Sequence, residues 1–210
     1  EELSTKRISA LEQMTATRAS QGEGTYRNTF SENITDALRE SLGGVDDLEH
    51  DQALDLLADG SRKQLLLGGR FSQSVAEQMY NHATLIRPGC ELVPLELEQR
   101  MNRLIDVGRG HVVTIFDFRR YQSDCVDFAK EAKKRRAKVL LITDPWMSPA
   151  ADYADVVLVA EVRIASPFDS LTPATGITEF LIAGMYDRMQ DKARIRLTQF
   201  EEIANQRLFQ

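Results

Sequence analysis

His111-Val112-Val113-Thr114-Ile115-Phe116 and Lys138-Val139-Leu140-Leu141-Ile142-Thr143 are two short apolar runs, separated by a helical stretch from Ser123 to Arg136. Neither run alternates apolar with polar residues. A continuous run of this kind is the mark of a strand covered on both faces, as in a parallel sheet. Two such strands joined through a helix form a crossover unit, which is right-handed in nearly all proteins.

The pattern extends in both directions. Upstream, Gln64-Leu65-Leu66-Leu67 stops at Gly68-Gly69 and is followed by a helical stretch from Ser72 to about Leu85. Cys90 to Leu95 carries a weaker strand signal, and Asp155-Val156-Val157-Leu158-Val159-Ala160 is a fifth run downstream. Strand alternates with helix, so the spacing predicts an α/β domain: a three-layer α/β/α, doubly wound, five-stranded parallel sheet. The first sixty residues read as helical. Ile34, Ala37, Leu38 and Leu42 recur at helical spacing, and Gly43-Gly44 ends that run. Leu48 to Ala58 forms a second amphipathic stretch, with Leu54, Leu57 and Ala58 on one side. The polar segment from Thr17 to Gly24 reads as a hinge after a short helix around Lys6 to Met14. At the other end, Thr172 is a cap and Pro173 a first-turn residue for a helix running through Met189. That helix continues amphipathically through Ile195, Phe200, Ile203 and Leu208.

With 210 residues, 42% hydrophobic and 28% charged, the chain has the balance of a globular domain of ordinary size plus an appendage. A formal charge of −6 argues against the chain gripping a phosphate backbone unaided. No apolar run approaches the roughly 18 residues of a membrane helix. Cys90 and Cys125 follow no metal or disulfide spacing and read as ordinary thiols of a cytoplasmic protein. The chain begins at Glu1 rather than Met, which leads us to expect a longer polypeptide.

In an open parallel sheet, ligands sit beyond the carboxyl ends of the strands, where neighbouring connections diverge. Two loops qualify. Gly68-Gly69-Arg70-Phe71-Ser72-Gln73-Ser74 follows the first strand, where glycines admit a close backbone approach and hydroxyls and free amides can hold an anion. The same residues also make good turn and capping chemistry, with no ligand implied. Asp117-Phe118-Arg119-Arg120-Tyr121-Gln122-Ser123-Asp124 follows the third strand.

These stretches resemble a known family. Gly68 to Ala76 is similar to the Gly-x-Gly-x-Ser-x-x-Val-Ala opening of SIS (sugar isomerase) domains, and Asp117 to Val126 falls where that family carries a Ser-x-Ser-Gly-x-Thr phosphate loop. Ala137-Lys138-Val139-Leu140-Leu141-Ile142-Thr143-Asp144 and Ala154-Asp155 resemble the family's later strands. The resemblance implies a flavodoxin-like strand order. The helical preamble and tail look most like RpiR/MurR transcription regulators, which carry a helix-turn-helix domain ahead of the SIS domain. On that resemblance, residues 1–44 are a helical linker or arm from an absent N-terminal DNA-binding domain, and residues 45–210 the SIS ligand-binding domain with its C-terminal helix.

The departures fall in the phosphate loop. The first serine position holds Asp117, the second Arg119, the glycine Arg120 and the threonine Gln122, while Arg70 replaces the second glycine of the opening motif. Arginine forks bind carboxylate or phosphate bidentately. One expectation is an anion site rebuilt on Gly69, Arg70, Ser72, Ser74, Asp117, Arg119, Arg120 and Gln122. The other is an internal ion pair between Asp117 and an arginine that plugs the pocket. Tyr121 is open between stacking on a ligand, stacking on Arg120 and covering the loop.

Isomerases of this fold need a general acid or base, for which Glu77, His82 and Glu179 are the candidates. Asp169 and Ser170 either contribute to a site or start the following helix. We expect no catalytic residue, metal or cofactor. The expected role is effector sensing and dimerisation within a bacterial regulator of carbohydrate metabolism. Its partners would be a small sugar-derived, anionic metabolite, a homodimer or tetramer mate, and DNA through the absent domain alone, with no membrane. The alternatives are a sugar-phosphate isomerase and a ligand-free dimerisation scaffold.

Overall fold

The computed structural model describes residues 26–208. The helix read around Lys6 to Met14 and the hinge after it lie outside the described residues.

Five parallel strands stand in the order β2-β1-β3-β4-β5, with β1 at Lys63–Gly68, β2 at Cys90–Leu92, β3 at His111–Phe116, β4 at Lys138–Thr143 and β5 at Val156–Val159. This is the flavodoxin-like order. The central register pairs Leu65 with Val113 and Val113 with Val139. Alternate residues feed two separate cores, which is why the runs are apolar throughout. Leu66, Phe116, Leu140, Ile142 and Leu158 pack with α2 (Asp47–Ala58), α3 (Gln73–Ile86) and α6 (Thr172–Met189). Leu65, Leu67, Val113, Ile115, Val139 and Leu141 pack on the other side with α5 (Ser123–Lys134) and a short 3-10 turn at Pro149–Tyr153.

Three helices complete the chain: α1 (Tyr26–Gly43), α4 (Leu97–Asp106) and α7 (Asp191–Leu208). Asp46 caps α2 by accepting the Leu48 N–H at 2.7 Å. Helix α1 lies on α6 at Gly176, where a Cβ would come within 2.4 Å of Leu38 Cδ1. Helix α2 lies on α6 at Gly184, where a Cβ would come within 2.7 Å of Leu54 Cδ1. Two missing side chains thus let three helices approach closely.

Several local expectations differ from the structure. The terminal helix is two helices, because Gln190 adopts a left-handed φ of 46° between α6 and α7. Leu171, not Thr172, stands at the start of α6, and Pro173 occupies the first turn as expected. Helix α4 has no counterpart in the sequence reading. Cys90 is half-buried and Cys125 fully buried. Burial raises both thiols, that of Cys125 to about 12.

Candidate functional site

Strand β1 connects outward to β2, while β3 connects to β4 on the opposite side. Their following loops therefore diverge at one place, which is where an open parallel sheet presents its crevice. Both loops singled out in the sequence meet there, and they are laced together by the protein's own atoms. The Gly69 N–H donates to the Phe116 carbonyl at 3.2 Å and to Ser72 Oγ at 2.8 Å, and Ser72 Oγ donates to the same carbonyl at 2.6 Å. Gln122 Oε1 accepts the Arg70 N–H at 2.8 Å. The Gln122 N–H in turn donates to Asp117 Oδ1 at 3.2 Å. Ser74 faces outward, its hydroxyl on the Phe71 carbonyl at 3.0 Å.

One reading of the sequence pairs Asp117 with an arginine; the structure gives it other partners. Asp117 is buried and accepts from Ser148 Oγ and the Gln122 N–H. Burial pushes its carboxyl up to about 6, against the pull of those two donors, and the neighbouring Asp144 and Asp124 push in the same direction. Arg119 turns instead to Asp169 in a two-point pair, with Nε to Oδ2 at 3.1 Å and Nη2 to Oδ1, and its guanidinium lies 5.1 Å from the Trp146 ring centre. Arg163 covers Trp146 at 5.2 Å. Tyr121 uses its hydroxyl to hold Asp144 at 2.7 Å, with the Trp146 N–H at 3.0 Å and the Arg119 N–H on the same carboxylate. Burial raises Asp144 as well.

Arg70 and Arg120 are exposed, Arg70 lying 5.5 Å from the Phe71 ring centre and Arg120 holding a left-handed φ of 73°. Of the eight site residues read from the sequence, Gly69, Arg70, Ser72, Asp117 and Gln122 are connected across the crevice. Arg119 points into the Trp146 cluster, and Ser74 belongs to its own turn.

Arg100 is the group that sequence reasoning missed. It is 1% exposed and joins three segments, donating to the Gly68 carbonyl at 2.6 Å, the Pro94 carbonyl at 2.8 Å and Asp124 at 2.7 Å. The helical spacing of Leu97, Met101 and Leu104 was the available signal for its helix. Asp144 and Ser148, beyond β4, were missed because nothing local marks them. Of the acid/base candidates, Glu77, His82 and Glu179 are all exposed, with Glu179 accepting from Gln78 at 3.2 Å. Ser170 starts the next helix as its bland reading had it, accepting the Thr172 N–H at 3.2 Å.

A cleft of about 330 Å³ lies elsewhere, between α1 (Asn33, Asp36, Glu40) and the segment after β5 (Glu161, Arg163). Among the described residues no group of His, Cys, Asp and Glu could hold a metal ion, and no helix is long and apolar enough to cross a membrane.

The family model for the SIS domain matches residues 58–184. No curated protein matches the chain. Among solved structures, the sugar isomerase domain of an RpiR transcription factor from Sphaerobacter thermophilus is similar at a TM-score of 0.77 and 20% identity, covering 83% of this chain and 97% of its own. The Vibrio vulnificus NanR protein, solved with ManNAc-6P, gives 0.74 at 14% identity over 94% of this chain and 75% of its own. An E. coli protein solved in complex with a sugar phosphate gives 0.67 at 16%, over 83% and 94%.

Proposed function

Since this chain belongs to the SIS domain family, we propose that it is the effector-sensing and dimerising part of a cytoplasmic, RpiR-type regulator of carbohydrate metabolism. Its effector is a sugar phosphate or sugar acid held in the crevice between the β1 and β3 loops. DNA is contacted by a helix-turn-helix domain preceding α1. Residues 1–44 serve as the arm and residues 45–210 as the sensor.

The observation that carries this reading is how the buried carboxylates are used. Asp117 and Asp144 accept five hydrogen bonds between them, all from the protein itself. A general base must reach the proton it removes, and these two are spent on holding loops. The exposed Arg70 and Arg120 flank the crevice with positive charge, which favours binding an anion over transforming it. The two neighbours solved with sugar phosphates, one of them ManNAc-6P, support the same ligand class.

A thermal-shift screen against sugar phosphates, sugar acids and neutral sugars tests the proposal. A ligand at about 100 times its dissociation constant adds roughly 2.7 kcal/mol. Each kcal/mol moves the midpoint by about 2–4 °C at this size. We expect hits among the anions, weakened in Arg70→Gln and Arg120→Gln. Turnover of an aldose or ketose phosphate would select the isomerase instead, and a flat response in every variant would select the scaffold.

A further inference from the structure

The crevice is already occupied, and by a side chain. Gln122 Oε1 sits 2.8 Å from the Arg70 amide nitrogen, where an oxygen of a bound anion would accept the same N–H. The carboxamide lies flat against Gly69. A Cβ on Gly69 would meet Gln122 Oε1 at 3.1 Å and Cδ at 3.3 Å, so the absence of a side chain there leaves the room that Gln122 fills.

We propose that Gln122 is the specificity-determining residue of this crevice, a built-in occupant that a ligand oxygen must displace from the Arg70 N–H. This rests on the reading of the crevice as an anion site, and adds to it how entry is controlled. An amide oxygen satisfies the donor without cancelling the charge of Arg70 or Arg120. A phosphate or carboxylate oxygen makes a charge-assisted bond roughly twice as strong as a neutral one, so it can displace the amide, whereas a neutral sugar hydroxyl gains nothing by the exchange. The plug therefore selects for charge. The carboxylates nearest the seat, Asp117 and Asp124, oppose an incoming dianion, and Arg100 stands against Asp124.

The probe is inorganic phosphate, titrated into wild type and Gln122→Ala while the backbone amide of Arg70 is followed by ¹⁵N NMR. The variant removes the carboxamide and keeps the backbone N–H that Asp117 holds. We expect the Arg70 amide to respond to phosphate with a midpoint about tenfold lower in Gln122→Ala than in wild type. An equal midpoint, or an Arg70 amide indifferent to phosphate in the variant, would overturn the proposal. Gln122→Ser, a favoured residue at the start of a helix, repeats the comparison if alanine disturbs α5. The two readings fail separately. A gain of phosphate affinity in Gln122→Ala with no metabolite hit in the screen sinks the sensor alone. A metabolite whose affinity is the same with and without the carboxamide sinks the plug alone.

Discussion

Burial holds the Asp117 carboxyl up at about 6, whereas in an unfolded chain it titrates near 3.9. Between those values the folded protein keeps a proton that the unfolded chain has released. Stability from this group is thus fully present below the lower value and is lost as pH rises through the higher. A shift of about two units corresponds to a loss on the order of 3 kcal/mol by neutral pH. Asp144, raised by the same cause, contributes with the same sign. Asp117→Asn should flatten the pH dependence of urea unfolding between pH 4 and 7, leaving the part due to Asp144; an unchanged slope would place the cost elsewhere. Arg100 works the opposite way, as a buried charge that is fully partnered. Arg100→Leu should cost about 3–5 kcal/mol in chemical denaturation, because Asp124 and two carbonyls lose their donor. Little of this was legible in the sequence. Ser72 was named as a ligand hydroxyl but is spent on the Phe116 carbonyl, and Arg119 finds Asp169 fifty residues away, beyond any local pattern.

At the scale of elements the sequence says far more. β3 and β4 begin and end where their apolar runs do, since burial on both faces leaves no polar position inside them. Helix α4 went unread because its apolar residues are interleaved with charge and Leu97, Met101 and Ile105 stay exposed. The break between α6 and α7 was equally silent, because glutamine is no usual signal for a left-handed residue. The glycines of α6 offer a graded test of helix packing. An alanine in place of a helical glycine gains roughly 0.5–1 kcal/mol from the backbone. At Gly176 the new methyl meets only the tip of Leu38, which is partly exposed and free to turn, so Gly176→Ala should come out near neutral. At Gly184 it meets both methyls of the buried Leu54 and His50 Nε2 at 3.3 Å. Gly184→Ala should lower stability by about 1–3 kcal/mol, the usual cost of overpacking. Equal thermal midpoints for the two variants would contradict this account.

For the molecule as a whole, the proposed assembly draws support from α7, whose Ile195, Phe200 and Ile203 are all about half exposed. If a second copy covers them, Ile203→Glu should shift sedimentation toward the monomer, while a mass distribution equal to wild type would remove α7 from the interface. Helix α1 packs on α6 and reaches the segment after β5 through Ser41 Oγ, which accepts the Glu161 N–H at 2.8 Å. Any change in the arm's orientation relative to the sheet must therefore disturb that junction. The two guarded thiols make such a change observable. Maleimides react with thiolate, and burial keeps both Cys90 and Cys125 protonated at neutral pH. A single cysteine introduced on the exposed side of α1 would then take a fluorophore or spin label almost alone, so the arm could be tracked spectroscopically without first stripping the native cysteines from the chain.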